Sequence, residues 1–325
     1  MPANLPPQYY EAERKLRSAK TIAEKIMIIE EMLAIMPHHK GTDKLQADLR
    51  RRIAKLTEAA DKKAATHRAS MLIEKEGAAQ LVVIGLPNAG KSQLVGAATS
   101  ASPTVADYPF TTQRPTPGMM QFENIQIQLI DTPPLSDQPA EWWLVNTVRR
   151  ADALLVLVDL SDDPLAQMEA IVAQLAKMRI KLFEENTEEQ EAVFIYKTAL
   201  IAGNKIDMKV ASENYKALQE RYGAQLPVIA ISARERVGLD ELKLKIYQIL
   251  NIIRVYTKTP GKDPELTEPI VLKRGSTLVD AAASVHKDFA AKLKYARIWG
   301  SGKHDGIMAR RDHTLEDGDI IELHL

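Results

Sequence analysis

Apolar positions along the chain change their period twice. Between Pro6 and about Lys75 they recur at helical spacing. Ile22, Ile26, Ile29 and Leu33 share one face; after a break at Pro37 to Gly41, Leu45, Leu49, Ile53 and Leu56 share another. Two such runs around a breaker predict an N-terminal helical hairpin. From Gln80 the pattern becomes short β-branched runs separated by glycine turns and helical segments, the alternation of βαβ units around a largely parallel sheet. Strands are predicted at Leu81 to Ile84, Ile125 to Ile130, Leu154 to Asp159, Ala199 to Gly203 and Val228 to Ile231, with a closing helix at Leu239 to Ile253. Pro260, Gly261, Pro264 and Pro269 then mark a linker. Beyond it a strand (Ile270 to Leu272), a helix (about Leu278 to Leu293) and strands at Tyr295 to Trp299 and Asp319 to Leu325 predict a small α+β module. The expected organisation is a helical region at 1–77, an α/β domain at 78–258, a linker at 259–267 and a last domain at 268–325.

A length of 325 residues suits two or three such units, and 45% hydrophobic with 26% charged residues is the composition of a folded chain. The absence of Cys excludes disulfides and thiolate metal sites. Met1 to Lys15 lacks an apolar core, and the longest apolar stretch, Ala153 to Val158, is far too short to span a bilayer, so a cytoplasmic protein without membrane partners is expected. A formal net charge of +0 leaves any nucleic-acid contact to local patches.

The candidate chemistry begins directly after the first strand. Gly85-Leu86-Pro87-Asn88-Ala89-Gly90-Lys91-Ser92 fits the P-loop pattern in the strand-to-helix context it requires, with Gln93 continuing into the helix. Gly85 and Gly90 let the backbone turn its N–H groups toward phosphate. Lys91 can reach the β- and γ-phosphates, and Ser92 offers a hydroxyl to Mg²⁺. Asn204-Lys205-Ile206-Asp207, after the strand at Ala199 to Gly203, favours guanine over adenine. Guanine N1–H and N2–H₂ can donate in parallel to the Asp207 carboxylate, which adenine would leave unpaired. Asn204 can support the loop and the base edge, and the Lys205 stem can pack on the ring. Asp131, ending a strand, stands where a P-loop fold places a second Mg²⁺ carboxylate. Thr111 or Thr112 could ligate the same ion, and Ser232-Ala233 could offer backbone N–H groups to the base.

Taken in order, GLPNAGKS, YPFTT, DTPP, NKID and SAR resemble the nucleotide motifs of Obg-like GTPases, and most closely the developmentally regulated GTP-binding protein family. Glu268 to Leu325, with RGSTLVDAAASVHKDF and LEDGDIIELHL, looks like that family's C-terminal TGS domain, a ubiquitin-like β-grasp fold. The resemblance implies a P-loop NTPase G domain that binds GTP and GDP with Mg²⁺. It selects Thr112 of the threonine pair as metal ligand, and it implies a ribosomal or RNA partner, with room for a regulatory protein. It implies catalytic roles for Lys91, Thr112 and Asn88, the last through a bound K⁺ able to neutralise transition-state charge. Two departures stand out. Pro134 replaces the glycine whose N–H meets the γ-phosphate, and Leu135 cannot orient water as a Gln does. Slow intrinsic hydrolysis stimulated by K⁺ is expected; the rival reading is a guanine-nucleotide-binding adaptor with negligible turnover. An adenine-specific ATPase is a third reading, which Asp207 opposes.

Arg50, Arg51, Arg52, Lys62 and Lys63, and in the last module Lys287, Lys292, Lys294 and Arg297, could meet RNA phosphates, although such charges are more often solvated faces. Of Trp142 and Trp143, at least one is expected in the core. His38 and His39 read as turn residues.

Overall fold

The computed structural model describes residues 6–19, 21–37, 42–71, 73–99, 116–136, 138–183, 193–301 and 306–324. His38, His39, Thr111 and Thr112, and the side chains of Lys62 and Lys63, lie outside the described residues. The chain divides into two units, Met1–Leu72 and Ile73–Leu325.

The first unit holds α1 (Pro7–Ser18), α2 (Ile22–Ile35) and α3 (Asp43–Met71). The expected hairpin is therefore preceded by a separate helix. The break falls at Thr21, whose side chain accepts from the Glu24 N–H while the Glu24 carboxylate accepts from the Thr21 N–H, a capping box that starts α2 afresh. Tyr9, Ala12, Ile29, Met32, Met36 and Leu49 form its core.

The second unit opens with β1 (Ala79–Gly85), α4 (Lys91–Ala98), β2 (Thr116–Phe122), β3 (Ile125–Asp131), α5 (Trp142–Arg150) and β4 (Ala153–Asp159). It continues through α6 (Pro164–Lys177), β5 (Ile180–Lys181), β6 (Ile195–Tyr196), β7 (Ala199–Asn204), α7 (Ala211–Tyr222), β8 (Val228–Ala230) and α8 (Leu239–Leu250). Six strands form one sheet in the order β2-β3-β1-β4-β7-β8, parallel except for the antiparallel edge strand β2. All seven residues of β1 are buried, as expected of a central parallel strand covered on both faces, and each such Leu, Ile or Val contributes about 1.5–3 kcal/mol. Pro117 and Gly118 disguise β2 in the sequence; both are tolerated at an edge.

The closing helix ends at Leu250, three residues before its expected end, because Asn251 takes a left-handed conformation (φ 51°). The chain then enters β9 (Ile252–Thr257), followed by β10 (Ile270–Lys273), α9 (Leu278–Val285), α10 (Lys287–Lys292), β11 (Tyr295–Trp299), β12 (Ile307–Ala309) and β13 (Ile320–His324). These strands form a second sheet in the order β10-β9-β13-β11-β12, so its first strand starts ahead of the expected linker. The long helix expected at Leu278 to Leu293 is two helices, separated by the extended His286 (φ −162°, ψ 142°), whose Nδ1 accepts from the Asp288 N–H. Ile253, Val255, Leu278, Ala281, Ala296, Ile298 and Ile321 pack the core between sheet and helices.

A polar node joins this sheet to the β2–β3 hairpin. Arg254 donates to both Asp317 oxygens (3.1 and 2.8 Å), pairs with Glu123 at the hairpin tip and reaches Asn124 Oδ1 at 3.3 Å. Tyr247 from α8 donates to Asp317 at 2.6 Å and stacks on Phe122. Asn124 Nδ2 donates to Tyr256 Oη at 2.7 Å and to the Leu266 carbonyl at 3.1 Å.

Candidate nucleotide site

The cleft forms where β1, β3 and β7 end, at the carboxyl edge of the sheet. Its opening of about 500 Å³ is lined by Pro87, Asn88, Gly90, Lys91, Ser92 and Gln93 on one side and by Asp131, Thr132, Pro133 and Pro134 on the other. Asn88 (φ 64°) and Gly90 (φ 91°) bend the loop into the N-terminus of α4. Gly90 is required twice over: its φ disfavours a side chain, and a Cβ would lie 2.4 Å from Asn204 Nδ2. A Cβ on Gly85 would lie 2.5 Å from the Leu157 carbonyl of β4. The loop thus presents N–H groups and a helix N-terminus, an anion site by construction.

Lys91 is buried, and its ammonium donates to the Gly85 and Leu86 carbonyls at 3.0 Å each. Burial lowers its pKa, and the nearby Asp131 charge opposes that shift. Ser92 Oγ donates to Asp131 Oδ2, so helix α4 and strand β3 bring together the two oxygen donors singled out for Mg²⁺. Burial raises the Asp131 pKa against the opposing effects of Ser92, Lys91 and the Thr132 N–H. Asp131 Oδ1 is buried without a hydrogen-bond partner. An orphaned carboxylate oxygen beside a serine hydroxyl fits a hard divalent cation, which takes oxygen ligands and would satisfy it.

Beyond Asp131 the chain runs against the P-loop. Thr132 Oγ1 donates to the Val83 carbonyl at 2.7 Å, and the Leu135 N–H donates to the Gly85 carbonyl at 3.0 Å. Leu135 is buried and Pro134 is exposed on the cleft wall.

Asn204 ties the base loop to the P-loop. Its Nδ2 donates to the Ala89 carbonyl and its Oδ1 accepts from the Ala233 N–H, both at 2.9 Å. This tie is the loop support expected of Asn204, and it uses one of the two Nδ2 hydrogens and one of the two Oδ1 lone pairs. Ser232 N–H donates to the Val237 carbonyl. A base carbonyl reaching Ser232-Ala233 has to share the Ala233 N–H with Asn204. Lys205, at φ 68°, directs its ammonium onto Asp159, and Asp207 stands exposed with no hydrogen-bond or ion-pair partner among the described residues. Asp159 escaped sequence reading. The sequence marks it only as a carboxylate ending an apolar strand; its register with Asn204 belongs to the fold.

Of the adjacent pair Trp142 and Trp143, Trp143 is buried and Trp142 is 39% exposed. Arg50, Arg51, Arg52, Lys287, Lys292, Lys294 and Arg297 all lie on the surface.

Comparison with known proteins agrees with this geometry. The family described as 50S ribosome-binding GTPase matches residues 80–197, and the TGS domain matches residues 253–325. An uncharacterized GTP-binding protein of Methanocaldococcus jannaschii is 32% identical over 93% of this chain and 92% of its own length. Human developmentally-regulated GTP-binding protein 2 is 25% identical over 93% of this chain and 99% of its own length. The chain belongs to the developmentally regulated GTP-binding protein family. The family's G domain is the first sheet with its helices, and its TGS domain is the second sheet, which begins at β9. The YchF GTPase of Schizosaccharomyces pombe shares the fold, with a TM-score of 0.53 at 13% identity over 77% of this chain and 99% of that one. As a family member the chain is a GTP-binding P-loop protein. No helix among the described residues is long and apolar enough to cross a membrane.

Proposed function

We propose that the protein is a Mg²⁺-dependent GTPase switch of slow intrinsic turnover, acting in the cytoplasm with a ribosomal or RNA-containing partner. The observation that supports it best is the convergence of Lys91, Ser92 and the orphaned Asp131 oxygen on one cleft, tied through Asn204 to the loop bearing Asp207. Lys91 binds phosphate, Ser92 and Asp131 hold the metal together with Thr112, and Asp207 selects guanine. Magnesium supplies charge neutralisation on the phosphates; the chain's own work is positioning. Because Leu135 is buried and cannot orient water, the exposed Asn88 would hold a K⁺ ion, which would supply the missing electrostatic stabilisation. The family name of the matched G domain supports the ribosomal partner, and the surface positions of Arg50 to Arg52 and of the TGS lysines fit phosphate contacts.

Multiple-turnover hydrolysis of GTP and ATP, in KCl and in NaCl, tests this reading beside Lys91→Ala. The expected result is GTP-selective turnover, faster in K⁺ and lost in the variant. Turnover of ATP at an equal rate would overturn it.

A second reading, a guanine-nucleotide-responsive adaptor with negligible hydrolysis, draws support from one feature of the cleft wall. Pro133 and Pro134 have no N–H, and the Leu135 N–H is spent on the Gly85 carbonyl. That wall offers the γ-phosphate no free backbone donor between 133 and 135. Tight GTP binding without phosphate release would favour this reading.

A further inference from the structure

Asp159 stands in register with Asn204 across β4 and β7, one strand away from the base loop, and its surroundings are built to hold it still. The Gln167 amide grips its backbone from both sides, Oε1 accepting from the Asp159 N–H at 2.8 Å and Nε2 donating to the Asp159 carbonyl at 2.9 Å. Ser161 grips its side chain, donating to Oδ1 from both the backbone N–H (2.8 Å) and Oγ (2.6 Å). The remaining oxygen, Oδ2, receives the Lys205 ammonium, in a pair whose Asp159 side chain is 14% exposed. Burial would raise the Asp159 pKa, but Lys205 and Ser161 outweigh it, so the carboxylate stays ionised.

This clamp matters because of Asp207. A lysine ammonium two residues away along a tight turn is the natural counter-ion for that carboxylate, and an Asp207 paired with Lys205 could not also accept both donors of a guanine edge. The Lys205 backbone sits in the left-handed region, and the Met208 N–H closes the turn onto the Lys205 carbonyl at 3.0 Å. With its ammonium captured, Lys205 presents its four-carbon stem as a fixed apolar strip beside the base loop.

We propose that Asp159 is a positioning residue for guanine recognition: by capturing Lys205 it leaves Asp207 free for the base and holds the lysine stem as one wall of the base slot. The inference rests on the guanine-site reading of Asn204 to Asp207. It assigns specificity to a residue that touches no part of the nucleotide.

Inosine nucleotides, which lack the 2-amino group, separate this role from a merely structural one. GDP and IDP dissociation constants are measured for wild type, Asp159→Asn and the double variant Asp159→Asn with Lys205→Met. Wild type prefers GDP; absence of that preference would refute the guanine reading itself. In Asp159→Asn the freed ammonium competes for Asp207, so GDP affinity falls about tenfold and the GDP-over-IDP preference shrinks. The double variant keeps an unbranched apolar stem without a charge and restores the preference. Overturning results are a wild-type preference in Asp159→Asn, or equal losses for GDP and IDP that Lys205→Met does not recover. Should Asp159→Asn fail to fold, Lys205→Met alone decides, because it removes the competing charge directly. It is expected to keep the GDP preference, and losing it would overturn the proposal.

Discussion

Replacing Arg254 by Ala tests how the TGS domain is fastened to the G domain. The Arg254 side chain is 12% exposed and that of Asp317 is 26% exposed, whereas Glu123 at the hairpin tip is 61% exposed. The Glu123 pair is therefore screened and contributes little. The two bonds to Asp317 are charge-assisted and partly shielded, in a range of about 1.5–3 kcal/mol each before screening. Asp317 Oδ1 still accepts from the Arg254 backbone N–H (2.7 Å) and from Tyr247 Oη (2.6 Å), so truncation leaves only Oδ2 without its partner, in a side chain that solvent still reaches. The expected loss is about 2 kcal/mol for Arg254→Ala and about 1 kcal/mol for Arg254→Lys, which keeps the charge but not the fork. The sign with pH follows from Asp317. Burial opposes ionisation, but Arg254 and Tyr247 hold the Asp317 pKa down at about 2, below its unfolded value. The pair's stability is thus present above about pH 4 and lost as pH falls through about 2. Urea unfolding followed by far-UV circular dichroism, from neutral pH down through that window, measures both effects. A loss under about 0.5 kcal/mol at neutral pH, or an unchanged acid dependence in Arg254→Ala, would refute the reasoning.

Other substitutions probe the cleft. Gly90→Ala, with its Cβ 2.4 Å from Asn204, is expected to weaken GDP binding more than about tenfold in titration calorimetry. Asn204→Ala leaves the Ala89 carbonyl and the Ala233 N–H unpaired in a buried setting and is expected to cost about 2–4 kcal/mol in urea unfolding. Thr132→Val removes the bond to the Val83 carbonyl at nearly constant volume, at a cost of about 1–2 kcal/mol in the same assay. Pro134→Gly restores a backbone N–H to the cleft wall, and competition binding is expected to show the preference for a GTP analogue over GDP rising about tenfold.

The nucleotide motifs were legible because their chemistry dictates contiguous residue types. A loop that turns its N–H groups inward needs Gly85 and Gly90, and a guanine edge needs a carboxylate such as Asp207. The parallel strands were legible because burial on both faces makes them continuous apolar runs, as in β1 and β4. Features that depend on sequence-distant partners were not. Asp159 meets Lys205 across 46 residues, and Arg254 meets Asp317 across 63, so neither pair leaves a local pattern. β9 was hidden because Ile252 and Ile253 extend the apolar spacing of α8, and only the left-handed Asn251 separates them. The separate α1 was hidden by an apolar face that runs past the break, although Thr21 and Glu24 spelled out a capping box.

The most direct test of the central claim, a guanine site centred on Asp207, is equilibrium binding of GDP, ADP and xanthosine diphosphate to wild type and to Asp207→Asn. Wild type is expected to bind GDP far more tightly than the other two. The variant is expected to lose GDP and gain xanthosine diphosphate, which presents a carbonyl where guanine has its amino group. An unchanged preference for GDP in Asp207→Asn, or equal binding of ADP and GDP by wild type, would contradict the account.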